Sequence, residues 1–389
     1  MYDLIVVGGG PVGSEVSQKL AGMRYKVAVL ERKECLDKPV CCTGIISQEC
    51  VNSFAVDEDV ILRQVNGGKL FSPSGNSIRL WRKDIIGGII NRPAFNFAMA
   101  CKARNAGAEF VLHSRVSDID VMEDRISIKA VCQGKNMAFE ARAVVIASGF
   151  SSQLTDRLGL EKIDHFVVGA QAEVESVGVD ETEIYFGQKI APQFFAWLVP
   201  TLPGRALVGL ASRYKPWFYL RKLLASLMSQ GKVVSDKVEL RYRVIPLKTL
   251  SRTYGDRLVV VGDAAGQVKP TTGGGIYYGL ICADIAANAL NHALESDDLS
   301  ARSLASYERG WKKKLGQELR ICNYARKFYD GLNDPQIERL FNLIKAAGID
   351  QALLKQNDLS FDWHGKTILR LLGNGSMAGA LRMIKNSFL

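Results

Sequence analysis

Asp3-Leu-Ile-Val-Val-Gly-Gly-Gly-Pro-Val-Gly13 decides the fold of this chain. An apolar run of the kind that forms a buried strand leads straight into Gly8, Gly10 and Gly13. In such a turn the first glycine permits the sharp bend. The second lets the backbone approach a pyrophosphate, and the third lets a helix pack on the strand. A helix is expected from about Pro11 to Ala21, its positive N-terminus aimed at the phosphates. Val27-Ala-Val-Leu30 reads as the next strand, and Glu31 ends it, 18 residues past Gly13, where a carboxylate accepts ribose hydroxyls. Glycine spacing alone is a weak signal. Strand, glycines, helix, strand and acid in this order point to a dinucleotide site rather than an ordinary glycine-rich turn.

The chain has 389 residues, 47% hydrophobic and 23% charged, enough for a sizeable core of ordinary globular composition. The fingerprint starts at residue 3, so no leader peptide is expected ahead of it. The uncharged stretch 190–204 is broken by prolines, which argues against a membrane-spanning helix. Eight cysteines in so long a chain do not make a disulfide scaffold. No Cys-x-x-Cys pair occurs and the four histidines are scattered, so no metal site is expected. A cytoplasmic location follows by default. The net charge of +10 admits a solvated basic surface, an anionic membrane surface or an acidic protein partner. No basic run interleaved with aromatics supports nucleic-acid binding.

Residues 36–64 read as irregular and 65–90 as a β-hairpin region with turns at Asn66-Gly-Gly68 and Ser72-Pro-Ser-Gly75. A helix is expected over 92–107, then strands at 109–113, 126–131 and 143–147. Alternating patterns over 166–215 and 237–246 predict an antiparallel sheet interrupted by a helix near 216–230. The buried strand Leu258-Val-Val-Val-Gly-Asp263 precedes Pro270-Thr-Thr-Gly-Gly-Gly275 and a helix to about Leu294. Residues 301–347 read as amphipathic helix. This pattern predicts a discontinuous dinucleotide domain (1–64, 92–165, 250–295), inserted β-rich stretches (65–91, 166–249) and a helical C-terminal region (296–389).

Three separated signals suit FAD better than NAD. The fingerprint is the first. Arg92, just before a helix, is the second: its guanidinium could reach phosphate or adenosine groups, or form a surface salt bridge. The third is Gly262-Asp263 followed by Gly273-Gly274-Gly275 and Ile276. A strand-end Asp can bind a ribityl chain, and a glycine triplet lets backbone amides and a helix dipole approach a flavin edge. A turn would explain Gly262-Asp263 and a flexible linker the glycine triplet, but neither explains all three signals in this order.

At this point the chain resembles the geranylgeranyl reductases, flavoproteins with the hydroxybenzoate-hydroxylase architecture. The resemblance runs from residue 1 to about 325. It is carried by Gly8-x-Gly10-x-x-Gly13, Glu31, Cys42-Thr-Gly44, Asn91-Arg92, Phe195-Ala-Trp-Leu-Val-Pro200 with Gly204, Gly262-Asp-Ala264, Pro270-x-x-Gly-Gly-Gly275 and Tyr307-x-x-x-Trp311. Two departures stand out. Ala147-Ser-Gly149 replaces the commoner Ala-Asp-Gly, and Cys41-Cys42-Thr43-Gly44 replaces Cys-Gly-x-Gly. The resemblance implies an α/β fold with α+β insertions: a Rossmann-like FAD-binding domain, an antiparallel-sheet substrate domain and a C-terminal helical region. It implies FAD contacts from Gly8, Gly10, Pro11, Val12, Gly13, Glu31, Arg32, Cys42, Gly44, Arg92, Val116, Ser148, Gly149, Gly262, Asp263, Gly273, Gly274, Gly275 and Ile276.

It further implies hydride transfer from reduced flavin N5 to isolated C=C bonds of prenyl chains, a proton arriving at the other carbon. Such a substrate needs a long apolar cavity. Phe186, Phe194, Phe195, Trp197, Leu198 and Val199 are its candidate walls, with Trp197 and Pro200 singled out by the motif. Cys42 could donate the proton, tune the loop, or pair with Cys35 or Cys41; the alternative is an inert buried thiol. Tyr277 and Tyr278 read as helix packing ahead of flavin contacts. One fingerprint, filled by FAD, leaves electrons to come from NAD(P)H docking transiently or from a reduced ferredoxin. The protein is expected to be a monomer or weak homo-oligomer. Met377, Leu381, Ile384 and Phe388 share a helical face beside Arg382 and Lys385, which admits peripheral contact with the inner face of the cell membrane or docking on the protein body. Competing readings are a flavin monooxygenase or halogenase on the same architecture, and a prenyl-lipid carrier without turnover.

Overall fold

The computed structural model describes residues 1–150, 152–355 and 360–373. The chain divides into two compact units, residues 1–39, 92–166 and 245–317 in the first and 40–91, 167–244 and 318–389 in the second. Residues 40–64 therefore pack with the second unit, not with the dinucleotide-binding unit, and 296–317 with the first. The cause lies in strand pairing. Ile45–Ser47 and Ile61–Val65 both pair antiparallel with Gly87–Ile90 in a small sheet.

Residues 36–64 are also more regular than the sequence suggests. They hold the strand Ile45–Ser47, the helix Gln48–Ser53 and the strand Ile61–Val65. Elements of three to six residues are too short to show a period. The helix is started by Ser47, whose Oγ accepts from Cys50 N at 2.9 Å.

Among the described residues the first unit carries an eight-stranded sheet. Its central strands run parallel in the order Leu258–Val260, Lys135–Ile146, Tyr2–Val7, Val27–Leu30 and Glu109–Val111. Parallel strands buried on both faces need near-continuous apolar runs, and Leu4, Ile5, Val6, Val27, Ala28 and Val29 are each at most 1% exposed. The fingerprint helix, Pro11–Gly22, starts with Pro11 where a missing N–H costs nothing. The loop after the first strand thus opens at the carboxyl edge of a parallel sheet, where α/β folds bind ligands.

The second unit is built on a seven-stranded sheet in the order Arg241–Pro246, Phe166–Glu175, Arg205–Ser212, Phe195–Pro200, Thr182–Phe186, Gly67–Phe71 and Ser77–Trp81. One face packs on the helix Pro216–Ser229 through Leu220, Leu223, Leu224 and Leu227. Each buried leucine contributes about 2 kcal/mol, so Leu224→Asp would detach this helix. The helix stops because Gly231 adopts a φ of +71°, while Gly231 N and Lys232 N donate back to Met228 O and Leu227 O. On the opposite face the helix Asp334–Ala346 covers the hairpin Gly67–Trp81 through Ile337 and Phe341 against Leu70, Ile78 and Leu80.

Candidate functional site

The three fingerprint glycines have three distinct geometric reasons. Gly8 has a φ of +106°, and a Cβ there would lie 2.5 Å from Ala147 O. At Gly13 a Cβ would lie 1.9 Å from Gly8 O, so only glycine lets the helix sit on the strand. At Gly10 a Cβ would meet nothing within 4 Å. The space over Gly10 is open, as the approach of a phosphate to backbone requires. Pro11 and Val12 follow as the first helical residues, and Val12 packs so closely that a Cβ on Gly279 would lie 2.6 Å from its Cγ2.

Glu31 is buried, and its two carboxylate oxygens accept from Gly9 N at 2.7 Å and Lys33 N at 2.9 Å. The acid therefore braces the glycine loop as well as standing at the end of the second strand. Arg32 is exposed beside it. Arg92 opens the helix Arg92–Asn105 and is only 7% exposed, with its guanidinium 5.3 Å from the Phe95 ring centroid. Its side chain is thus buried at the start of this helix rather than spread on the surface. Val116 lies on the strand Ser114–Val121, half-buried against the sheet core, at a register shift opposite Ala130. Ser148 donates to Gly149 O at 3.3 Å, a bond local to this turn.

Asp263 and the glycine triplet come together. Asp263 lies in the short 3₁₀ turn Gly262–Ala265, and a Cβ on Gly275 would sit 2.7 Å from Asp263 Oδ1. Gly273 has a φ of +73°, and Gly275 precedes the helix Ile276–Glu295. Buried Lys269 runs beneath the triplet: a Cβ on Gly274 would lie 2.9 Å from its Cε. Tyr277 and Tyr278 are buried within the helix packing, as expected.

A relay missed in the sequence anchors this end of the sheet. Gly262 N donates to Gln267 Oε1 at 2.8 Å. Gln267 Nε2 donates to the Tyr307 hydroxyl at 2.8 Å, which donates to Val260 O at 2.9 Å. Gln267 and Tyr307 are fully buried, and burial drives the Tyr307 hydroxyl far above the ordinary tyrosine range. Trp311 Nε1 donates to Thr253 Oγ1 at 2.9 Å from the same helix. Tyr307 and Trp311 thus fix the strand end that presents Asp263.

In the second unit, strand alternation sorts the aromatic segment. Ile184, Phe186, Phe195 and Trp197 share one face, paired Ile184–Trp197 and Phe186–Phe195 across two strands. Leu198 and Pro200 fall on the other face, where Leu198 packs with Leu220 and Leu224. They do not share a wall with Trp197, a correction that follows from the period of two. Phe194 precedes the strand, stacked on Phe195 at 4.6 Å with the Arg326 guanidinium 4.2 Å from its ring centroid.

Trp197 is tied to Cys42. The strand register sets Trp197 opposite Gly209 and Gly209 opposite Gln171. The indole lies across Gly209, where a Cβ would be 2.5 Å from Cζ2, and Trp197 Nε1 donates to Gln171 Oε1 at 3.3 Å. Gln171 Nε2 in turn donates to Cys42 O at 3.2 Å. Cys42 Sγ accepts from Gly44 N at 3.4 Å, and Gly44 takes a φ of +71°. All eight cysteines are free thiols, so Cys42 pairs with neither Cys35 nor Cys41. Burial pushes the Cys41 thiol up to about 12. The doubled cysteine therefore holds one protonated, buried thiol and one half-buried thiol on the relay. Neither Gln171 nor Gly209 belongs to a motif; a lone glycine inside an apolar strand was the available signal for close approach.

Open glycine loop, buried strand-end acid and a glycine triplet facing an aspartate at a helix N-terminus fit a dinucleotide with a second polar moiety. The fold and site define an FAD-binding flavoprotein. A family model described as lycopene cyclase protein matches residues 3–341. A relative named digeranylgeranylglycerophospholipid reductase 2, from Methanothermobacter thermautotrophicus, is 32% identical over 88% of this chain and 92% of its own. Another named digeranylgeranylglycerophospholipid reductase, from Methanocaldococcus jannaschii, is 29% identical over 87% and 90%. A crystal structure described as geranylgeranyl bacteriochlorophyll reductase-like, from Thermoplasma acidophilum, superposes with a TM-score of 0.86 at 23% identity, covering 99% of this chain and 98% of that one. The halogenase PltM shares the fold at a TM-score of 0.69 and 14% identity, over 99% of this chain and 85% of that one. The chain belongs to the digeranylgeranylglycerophospholipid reductase family of flavoproteins.

Proposed function

We propose that this protein is an FAD-dependent reductase that saturates C=C bonds of geranylgeranyl chains on isoprenoid glycerophospholipids. The observation that carries the reading is the aromatic face of the seven-stranded sheet, in a chain of this family. Phe186 closes one end of this row against Tyr329 and Phe341, Phe195 and Trp197 offer a polyprenyl chain apolar surface beside it, and the Trp197 indole N–H is occupied by Gln171. An unactivated alkene offers no polar handle, so apolar shape must position it.

The residues of the first unit fit FAD. Gly10 and the helix behind it take the pyrophosphate, and Glu31 takes the adenosine ribose. Arg92 adds positive charge. Asp263 takes the ribityl chain, and Gly273–Gly275 approach the flavin edge. Bound and reduced, FAD supplies the hydride. The chain's own residues supply orientation and the proton. Trp197 and Phe195 hold the prenyl chain by stacking and dispersion. Gln171 fixes the Cys42 carbonyl, and the Cys42 thiol, steadied by Gly44 N–H, holds the proton destined for the second alkene carbon. Electrons enter from NAD(P)H or a reduced ferredoxin; the basic charge of the chain suits either an anionic nucleotide or an acidic protein.

The test is anaerobic incubation of FAD-loaded protein with digeranylgeranylglycerophospholipid and dithionite, read by lipid mass spectrometry. Hydrogens added in pairs are the expected result. Unchanged lipid masses, with FAD bound and reducible, would overturn the reading.

A further inference from the structure

The helix Pro216–Ser229 has an inner face and an outer face that do different things. Leu220, Leu223, Leu224 and Leu227 bury the inner face against the sheet. The outer face begins with three large aromatic side chains in solvent: Tyr214 is 65% exposed, Trp217 49% and Phe218 48%. Single exposed apolar residues are ordinary, whereas three within five positions make a patch. Their ring contacts stay within this helix start: Trp217 meets Phe218 edge-to-face at 6.1 Å, and Phe218 meets Tyr219 edge-to-face at 5.3 Å.

The patch is built. Ser212 is fully buried, and its hydroxyl accepts from Tyr214 N at 3.2 Å and donates to Tyr214 O at 3.0 Å. Lys215 holds a left-handed conformation, φ +44°, and Pro216 starts the helix immediately after it. This corner turns the aromatic tip outward and holds it there.

Its charge is of one sign. From Arg213 to Lys232 the sequence contains no Asp or Glu. Arg213, Lys215, Arg221 and Lys222 are exposed, and among the described residues they form no ion pair. Arg221 and Lys222 lie one turn beyond Trp217 and Phe218 on the same helical face. Aromatic rings rimmed by unpaired cations match the bilayer interface, where Trp and Tyr rings settle at headgroup depth and basic residues meet anionic lipid. No helix among the described residues is long and apolar enough to cross a membrane.

We propose that the outer face of Pro216–Ser229, with Arg213–Lys215, docks this protein on an anionic lipid bilayer, Trp217, Phe218 and Tyr214 entering the headgroup layer and Arg213, Lys215, Arg221 and Lys222 meeting lipid phosphates. A lipid-chain substrate gives the contact its purpose, and in that respect it rests on the proposed function. Vesicle binding is read without turnover, so the two readings fail separately.

The test uses full-length, FAD-loaded protein and vesicles of phosphatidylcholine with or without phosphatidylglycerol, read by flotation. Wild-type protein is expected to float with the anionic vesicles and to release as salt rises. A Trp217→Ser, Phe218→Ser double variant is expected to lose about tenfold or more in affinity, as is Arg221→Glu with Lys222→Glu. Both should keep FAD content, thermal midpoint and reduction of a detergent-dispersed substrate. Wild-type protein that ignores anionic vesicles would overturn the proposal. So would variants that bind as tightly as wild type, which would place the contact elsewhere, for instance on the segment holding Met377, Leu381, Arg382, Ile384, Lys385 and Phe388, outside the described residues. A wild-type dimer that the aromatic variant dissolves would assign the patch to a second copy instead.

Discussion

The Trp197 indole crosses Gly209 to reach Gln171, two strands away. Neighbouring strands lie about 4.8 Å apart, so only a long, flat side chain over a bare glycine spans that gap. A methyl at Gly209 would lie 2.5 Å from the ring. Gly209→Ala is therefore expected to displace the indole and break its hydrogen bond. The expected cost is about 1–3 kcal/mol in stability, by denaturant unfolding, with a shift in tryptophan emission and a fall in prenyl reduction. An unchanged emission spectrum and stability would mean that the indole does not lie where we find it.

Gln171 joins a group that only donates to a group that only accepts. An indole N–H cannot accept and a peptide carbonyl cannot donate, so the bridge must do both, as a primary amide does. Gln171→Glu keeps an acceptor for Trp197 and sets a carboxylate against Cys42 O. Gln171→Met removes both bonds at similar volume. Glutamate is expected to loosen the Cys42 loop more than methionine does, seen as faster alkylation of Cys42. Cys41, whose buried thiol is pushed up to about 12, should stay unlabelled in wild type. Equal alkylation of Cys42 in both variants would show that the amide does not set that loop.

Gly10 and Gly13 separate cofactor binding from folding. The space over Gly10 is open and its φ of −69° suits any residue, whereas a Cβ on Gly13 would strike Gly8 O. Gly10→Ala is expected to leave the thermal midpoint of the apoprotein nearly unchanged and weaken FAD binding by about tenfold or more, a loss of about 1.4 kcal/mol. Gly13→Ala should lose both folding and FAD. Equilibrium titration with FAD beside apoprotein melting distinguishes them. Full FAD affinity in Gly10→Ala would move the phosphate away from this loop.

What could be read from the sequence divides along the range of the interactions. The fingerprint, Glu31 and the Asp263–Gly275 pair were legible because local turn geometry and short spacing dictate them. Residues 40–64 were not, since Ile45–Ser47 and Ile61–Val65 are too short for a period and owe their place to Gly87–Ile90. Leu198 and Pro200 share a motif with Trp197, yet alternation along the strand sends them to the opposite face. Gln171 and Gln267 escaped notice because a buried amide has no sequence signature; only pairing over 26 residues to Trp197 and 40 to Tyr307 gives them meaning.

Glu338 gives the second unit a pH dependence in acid. It lies on the helix Asp334–Ala346 and accepts from Ser74 N at 3.1 Å and Asn76 Nδ2 at 2.7 Å, tying that helix to the hairpin turn. Burial works against its ionisation, but the hydrogen bonds from Ser74 and Asn76 outweigh it and hold the carboxyl down to about 2. A carboxyl depressed on folding adds stability that is complete above its ordinary value of 4.5 and is lost as pH falls toward about 2. Solvent at the turn keeps the contribution small, of order 1 kcal/mol. Glu338→Gln is expected to flatten the acid limb of the stability curve between these values and leave stability at pH 7 lower by a similar amount. Urea unfolding at pH 7 and at pH 3 measures both. An identical slope in wild type and variant would show that the carboxylate does not hold the helix to the turn.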